Sequence, residues 1–188
     1  DIIITQSHNP PDNRGIKYNP VNGGNAGKMV TKCIETKANE YLRNYCEDVN
    51  RISVVNIEPD AQLPCDYKKL YVEELSSVIN MEAIQLANPN VLVNALGGSG
   101  GAYWNAIRDY YNLNLTVINS EYDPTFSFMT YDHDGVVRMD CSSQYAMADV
   151  IKQIGEYDLA VGNDPDYDRY GVVTGDGLLQ ANHYMLAA

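Results

Sequence analysis

The sequence predicts an α/β chain, with mixed, largely parallel sheets flanked by helices. Three observations predict it. Short β-branched or aliphatic runs alternate with longer stretches whose apolar residues recur every three or four positions. Strands and helices that alternate at this spacing form parallel βαβ units with right-handed crossovers. The polar residues that stand out, Ser7 and Asp164, each sit in the loop after a strand-like run, which is where open sheets of this kind hold ligands.

Taken in order, Asp1 to Thr5 is a β-branched run with the character of a buried strand already under way. Gln6 to Gly15 is rich in turn residues, including Pro10-Pro11 and Asp12-Asn13, and Ile16 to Asn19 is a short extended piece. After the loop Asn22 to Gly27, a helix is expected from Lys28 to Asp48. Val30, Cys33, Ile34, Tyr41, Leu42 and Tyr45 would form one buried face on it. Asn56 to Asp66, with Pro59 and Pro64, reads as a linker. Beyond it the pattern predicts helices at Tyr67–Ile79 and at Met81–Ala87, the second capped by Asn80. A strand at Asn90–Ala95, a glycine turn, a helix at Ala102–Tyr111 and a strand at Leu115–Asn119 follow. A helix at Ser143–Ile154 capped by Ser142 or Ser143, a buried strand at Leu159–Val161 and a strand at Gly171–Thr174 complete the series. The domain boundaries expected are 1–58, a linker at 59–66, and 67–188. The strand already under way at residue 1 and the helical turn beginning at Tyr184 suggest a piece of a longer chain.

Composition narrows the function. The 188 residues carry 13 Lys and Arg against 25 Asp and Glu, a formal charge of −12. Such a field repels nucleic-acid backbones and anionic lipid, so neither is an expected partner. No apolar run is long enough to cross a bilayer. Cys33, Cys46, Cys65 and Cys141 show no paired spacing and read as reduced thiols of a cytoplasmic protein.

Two loops carry chemistry. In Asn163-Asp164-Pro165-Asp166-Tyr167-Asp168-Arg169, three carboxylates at alternate positions on an extended loop can converge on one hard cation. Oxygen donors without Cys or His favour Mg²⁺, Mn²⁺ or Ca²⁺ over zinc. A solvated acidic turn is the plainer reading. An EF-hand is excluded, because the places of its invariant glycine and bidentate glutamate hold Arg169 and Gly175. Arg169 suits bidentate capture of a phosphate or, equally, a salt bridge within the loop. In the other loop, Thr5-Gln6-Ser7-His8-Asn9-Pro10, the serine lacks the flanking glycines of a hydrolase elbow and has His8 as its immediate neighbour. Phosphorylation suits Ser7 better. A phosphoserine brings about two negative charges that need a cation beside them, and the acidic loop could hold that cation. Leu96 to Gly101 fits neither a dinucleotide fingerprint nor a P-loop and reads as a tight βα turn.

These residues resemble the α-D-phosphohexomutase superfamily, most closely its bacterial phosphoglucomutase group. The resemblance rests on Thr5 to Pro11, Gly15 to Pro20 and Asp164 to Arg169, in the family's order. Leu96 to Gly100, Tyr110 to Leu115, Arg138 to Ser143 and Asn182 to Tyr184 extend it over most of the chain. It implies that Ser7 is the phosphoserine. Asp164, Asp166 and Asp168, with a phosphate oxygen on Ser7, would hold one Mg²⁺. Lys17 would be the general acid/base, His8 would arrange the serine loop or assist proton transfer, and Arg169 would contact the phosphoserine or substrate phosphate. The implied reaction interconverts glucose 1-phosphate and glucose 6-phosphate through glucose 1,6-bisphosphate, which also primes the serine. The family's sugar-recognition loop and phosphate-binding domain have no counterpart in these residues, so the chain alone is expected to be nearly inactive, with the remainder of its own chain as a partner. A monomer or homodimer is expected. Two alternatives stand beside this: a phosphohexomutase for mannose or amino-sugar phosphates, and a non-catalytic metal- or phosphate-binding module with Ser7 as a regulatory phosphosite.

Overall fold

A computed structural model describes residues 1–5, 10, 12, 15–57 and 66–180. The candidate phosphoserine Ser7 and its neighbour His8, nearly all of the expected linker, His183 and the expected helical turn at Tyr184 lie outside the described residues. The chain divides into two compact units, one of residues 1–4 and 16–66, the other of residues 5–15 and 67–188.

Strand β1 (Ile2–Thr5), which lies in the first unit up to Ile4, pairs with β2 (Gly15–Tyr18), which lies in it from Ile16, in a two-stranded sheet. Asp1 and Asn19 extend the pair by exchanging backbone bonds of 2.7 and 2.9 Å. The expected burial of the first strand does not occur, with Ile2 and Ile4 72% and 74% exposed. A two-stranded ribbon has no inner layer in which to hide a face. Helix α1 (Lys28–Arg43) likewise forms where its period predicts, yet none of its residues is buried. Periodicity selects the helix, but burial requires a facing layer, and the described residues of this unit supply none. The helix also stops five residues earlier than expected. The Cys46 N–H bonds the Tyr41 carbonyl at 2.8 Å and the Tyr45 N–H bonds Leu42 at 3.1 Å. With Tyr45 left-handed at φ 52°, this is a Schellman closure made without glycine.

The second unit is built on a five-stranded sheet in the order β4 (Leu115–Ile118), β3 (Val91–Asn94), β5 (Leu159–Asn163), β6 (Tyr170–Thr174), β7 (Gly177–Leu178). Helix α2 (Tyr67–Glu74) runs into a 3₁₀ turn at Leu75–Ser77, and α3 (Met81–Ala87) is capped by Asn80, whose Oδ1 accepts from the Ala83 N–H at 3.0 Å. The central strand β3 (Val91–Asn94) is buried along its whole length, as its unbroken apolar run requires. It lies parallel to β4 (Leu115–Ile118) on one side and to β5 (Leu159–Asn163) on the other. Helix α4 (Gly101–Tyr111) makes the first crossover and α5 (Ala148–Gln153) lies in the second. Strands β6 (Tyr170–Thr174) and β7 (Gly177–Leu178) then turn back antiparallel.

Two apolar clusters hold these layers. Leu92, Leu96, Met147, Val150, Ala160 and Val173 pack with Cys141, all nearly or fully inaccessible. Val72, Leu75, Met81, Ile107 and Tyr111 join α2 and α3 to α4. Each fully buried aliphatic side chain contributes about 2 kcal/mol. Helix α5 is shorter than expected, beginning at Ala148 rather than Ser143, and neither serine caps it. Both hydroxyls are engaged elsewhere: Ser142 Oγ donates to Asp140 at 2.7 Å and Ser143 Oγ to Asp132 at 2.7 Å. These side-chain bonds hold residues 141–147 in turns.

Candidate metal centre

Strands β3 and β5 are adjacent and parallel, with Asn94 paired to Gly162, so their carboxyl ends open side by side. Residues 164–169 close the β5–β6 hairpin at that edge. Their convergence depends on a β-turn rather than on the extended loop the sequence suggested. The Asp164 carbonyl accepts from the Tyr167 N–H at 3.0 Å, with Pro165 at the turn's second position and Tyr167 left-handed at φ 61°. Proline supplies the φ that this position needs. The turn brings one carboxylate oxygen each of Asp164, Asp166 and Asp168 within 4.8 Å of one another.

The three carboxylates sit at graded depths. Asp164 is fully buried, Asp166 half-buried and Asp168 exposed. Asp164 Oδ1 accepts from the Arg169 N–H at 2.9 Å, while its Oδ2 is buried and accepts no hydrogen bond among the described residues. Burial, reinforced by Asp166 and then Asp168, pushes the Asp164 carboxyl up to about 7. A buried anionic oxygen without a donor is costly unless a cation faces it. The residues therefore fit a hard divalent ion: among those described, the cluster offers three oxygen donors, no soft ligand, and one buried oxygen that a cation would satisfy. Arg169 points its Nε at Asp168 Oδ1 at 3.6 Å, with its side chain 43% exposed.

The loop rests on neighbours whose role the sequence did not reveal. The Pro165 carbonyl accepts from both the N–H and the Oγ of Ser99, at 2.9 and 3.1 Å. Trp104 Nε1 donates to Asn163 Oδ1 at 3.3 Å, and Asn163 Nδ2 to the Arg169 carbonyl at 3.3 Å. Cys141 lies beneath the loop. Burial, with Asp164 and Asp140 beside it, pushes its thiol up to about 12. Lys17 is half-buried on β2 in the first unit. His133 pairs through Nδ1 with Asp132 Oδ1 at 2.5 Å.

Fold and site together define an α/β domain with a cation-competent acidic loop at the carboxyl ends of parallel strands. The chain belongs to the phosphoglucomutase/phosphomannomutase family. Residues 69–177 match its alpha/beta/alpha domain II and residues 1–44 its alpha/beta/alpha domain I. A phosphoglucomutase of Komagataeibacter xylinus is 43% identical over 189 residues, covering 100% of this chain and 34% of that protein. The chain thus spans about a third of the length of the curated relative it matches. Among solved structures, a candidate phosphomannomutase from Thermus thermophilus superposes with a TM-score of 0.68 at 21% identity, over 99% of this chain and 40% of that one. A phosphoglucomutase/phosphomannomutase family protein from Burkholderia thailandensis gives 0.67 at 21%, over 99% and 36%. These two likenesses concern the fold.

Proposed function

We propose that the complete protein is a phosphoglucomutase, an isomerase that interconverts glucose 1-phosphate and glucose 6-phosphate through a phosphoserine at Ser7 and a glucose 1,6-bisphosphate intermediate. In this reading residues 1–58 end a first domain bearing the serine loop, 59–66 link it onward, and 67–188 form a second domain bearing the metal loop. The observation that carries the proposal is the Asp164–Asp166–Asp168 cluster, whose buried Asp164 Oδ2 has no donor among the described residues, on a chain of this family.

Asp164, Asp166 and Asp168 would hold one Mg²⁺ together with a phosphate oxygen on Ser7. When bound, the ion neutralises charge on the transferring phosphoryl group, the main requirement of such transfers. Asp164, fixed through Oδ1 by the Arg169 amide, anchors the ligand set from the interior. A sugar hydroxyl attacks the phosphorus of phospho-Ser7 and the bond from phosphorus to the serine oxygen breaks. Lys17 takes the hydroxyl proton, and the released serine oxygen takes a proton from His8 or from solvent. After the bisphosphate turns around, Ser7 recovers a phosphoryl group from the other end of the sugar. A lysine serving this way needs its neutral form accessible. His8 orders the serine loop or assists the proton, and Arg169 contacts phosphoserine or substrate phosphate with its guanidinium fork. A cytoplasmic setting and glucose 1,6-bisphosphate as activator belong to the same reading.

The test is turnover by the complete protein across a panel of glucose, mannose and amino-sugar 1-phosphates, with Mg²⁺. Preferred use of glucose 1-phosphate, abolished in Asp166→Asn, supports the proposal. Preference for another hexose phosphate moves the substrate assignment, and no turnover on any of them rejects the mutase reading.

A further inference from the structure

The glycine turn between β3 and α4 is not an open cradle for a ligand. Its empty side is filled by the acidic loop. A Cβ on Gly98 would lie 2.5 Å from Pro165 Cα and 2.7 Å from its carbonyl oxygen. A Cβ on Gly100 would run into the Tyr167 ring. Pro165 and Tyr167 are the residues that separate the three carboxylates in sequence. Ser99, between the two glycines, holds the Pro165 carbonyl with both its donors.

We propose that the Gly98-Ser99-Gly100 turn is a positioning element for the metal centre: the missing side chain at Gly98 lets the Pro165 backbone seat against it, and that seating sets the spacing of Asp164 and Asp166. This rests on the cation reading of the acidic loop. Contact with backbone is the decisive feature. A side chain can rotate away from an added methyl, whereas Pro165, with its ring closed and its carbonyl held by Ser99, can only move as a unit and carry both flanking aspartates with it. Mg²⁺ demands near-ideal octahedral geometry at short distances, while Ca²⁺ tolerates irregular and longer coordination. A displaced Pro165 therefore penalises Mg²⁺ more than Ca²⁺. General loosening of the fold would weaken both alike.

The experiment is calorimetric titration of the complete, chelator-treated protein with Mg²⁺ and separately with Ca²⁺. It compares parent, Gly98→Ala, the control Gly155→Ala, whose added Cβ meets nothing within 4 Å, and Asp166→Asn. The expected result is about tenfold weaker Mg²⁺ binding in Gly98→Ala, a smaller loss for Ca²⁺, and parental affinities in Gly155→Ala. Unchanged Mg²⁺ affinity in Gly98→Ala, or equal losses for the two ions, overturns the proposal. Where Gly98→Ala does not fold, Ser99→Ala takes its place with the same two readings, since it frees the Pro165 carbonyl from the Oγ that holds it at 3.1 Å. Asp166→Asn separates the two levels. If it binds Mg²⁺ as the parent does, the cation reading itself fails, and the positioning role with it.

Discussion

Replacing Asp164 by Asn removes a charge that the fold holds away from water, while keeping the side chain's shape and an oxygen for the Arg169 N–H at 2.9 Å. Burial and the neighbouring aspartates push the Asp164 carboxyl up to about 7, against an ordinary value of about 3.9. The native chain then holds this proton more tightly than the unfolded chain. Metal-free stability consequently falls as pH rises from about 4 to about 7, and the penalty is complete above that range. At about 1.36 kcal/mol per pKa unit the difference corresponds to about 4 kcal/mol. Asp168 is 49% exposed, so water screens part of the repulsion, leaving about 1–3 kcal/mol. In urea unfolding with chelator present, Asp164→Asn should therefore be more stable than the parent by that amount at about pH 8 and no different near pH 4. With Mg²⁺ at about a hundred times its Kd the parent should gain about 2.7 kcal/mol and the variant far less. A variant that is less stable than the parent at the higher pH without metal, or whose effect ignores pH, refutes the view that this carboxylate is a buried charge held for a cation.

Further outcomes follow from the same structure. Tyr111→Phe should destabilise by about 1–2 kcal/mol in chemical denaturation, because the Tyr111 hydroxyl donates to the buried Val72 carbonyl at 2.7 Å and ties α2 to α4. Met147→Ala, at a fully buried position against Gly162, should lose about 2–5 kcal/mol by the same measurement. In alkylation followed by mass mapping, the exposed Cys33 should react in the native protein and Cys141 only after unfolding, since Cys141 is 1% exposed and its thiol is pushed up to about 12. Asp123 accepts from the amides and hydroxyls of Thr125 and Ser127, which hold its carboxyl far below the ordinary range. Its contribution is present above the ordinary carboxylate pKa and fades as pH falls through the depressed one. Asp123→Ala should accordingly lower the thermal midpoint at neutral pH.

What the sequence made legible was local. The β3 run Val91 to Asn94, the Asn80 cap and the α4 and β4 spans are set by neighbours within a few residues, and they form where the pattern places them. The donors of the acidic loop were legible for a similar reason, as three alternating aspartates, although the β-turn from Asp164 to Tyr167 that gathers them was not. What remained hidden depends on groups far apart in the chain. Ser143 looks like a helix cap until Asp132 claims its hydroxyl. Nothing in Leu96 to Gly101 reveals that residues 165 and 167 occupy the space above the glycines. Helix α1 shows the reverse: its periodicity called for a buried face, and periodicity alone does not supply the layer that would bury it.

The central claim is that a serine in one loop lends and reclaims a phosphate under the control of carboxylates in another. Its most direct test is the intact mass of the complete protein after incubation with glucose 1,6-bisphosphate and Mg²⁺. The account predicts a gain of one phosphate, mapped to Ser7, absent in Ser7→Ala and strongly slowed in Asp166→Asn. No uptake by the folded parent, or undiminished uptake by Ser7→Ala, contradicts it.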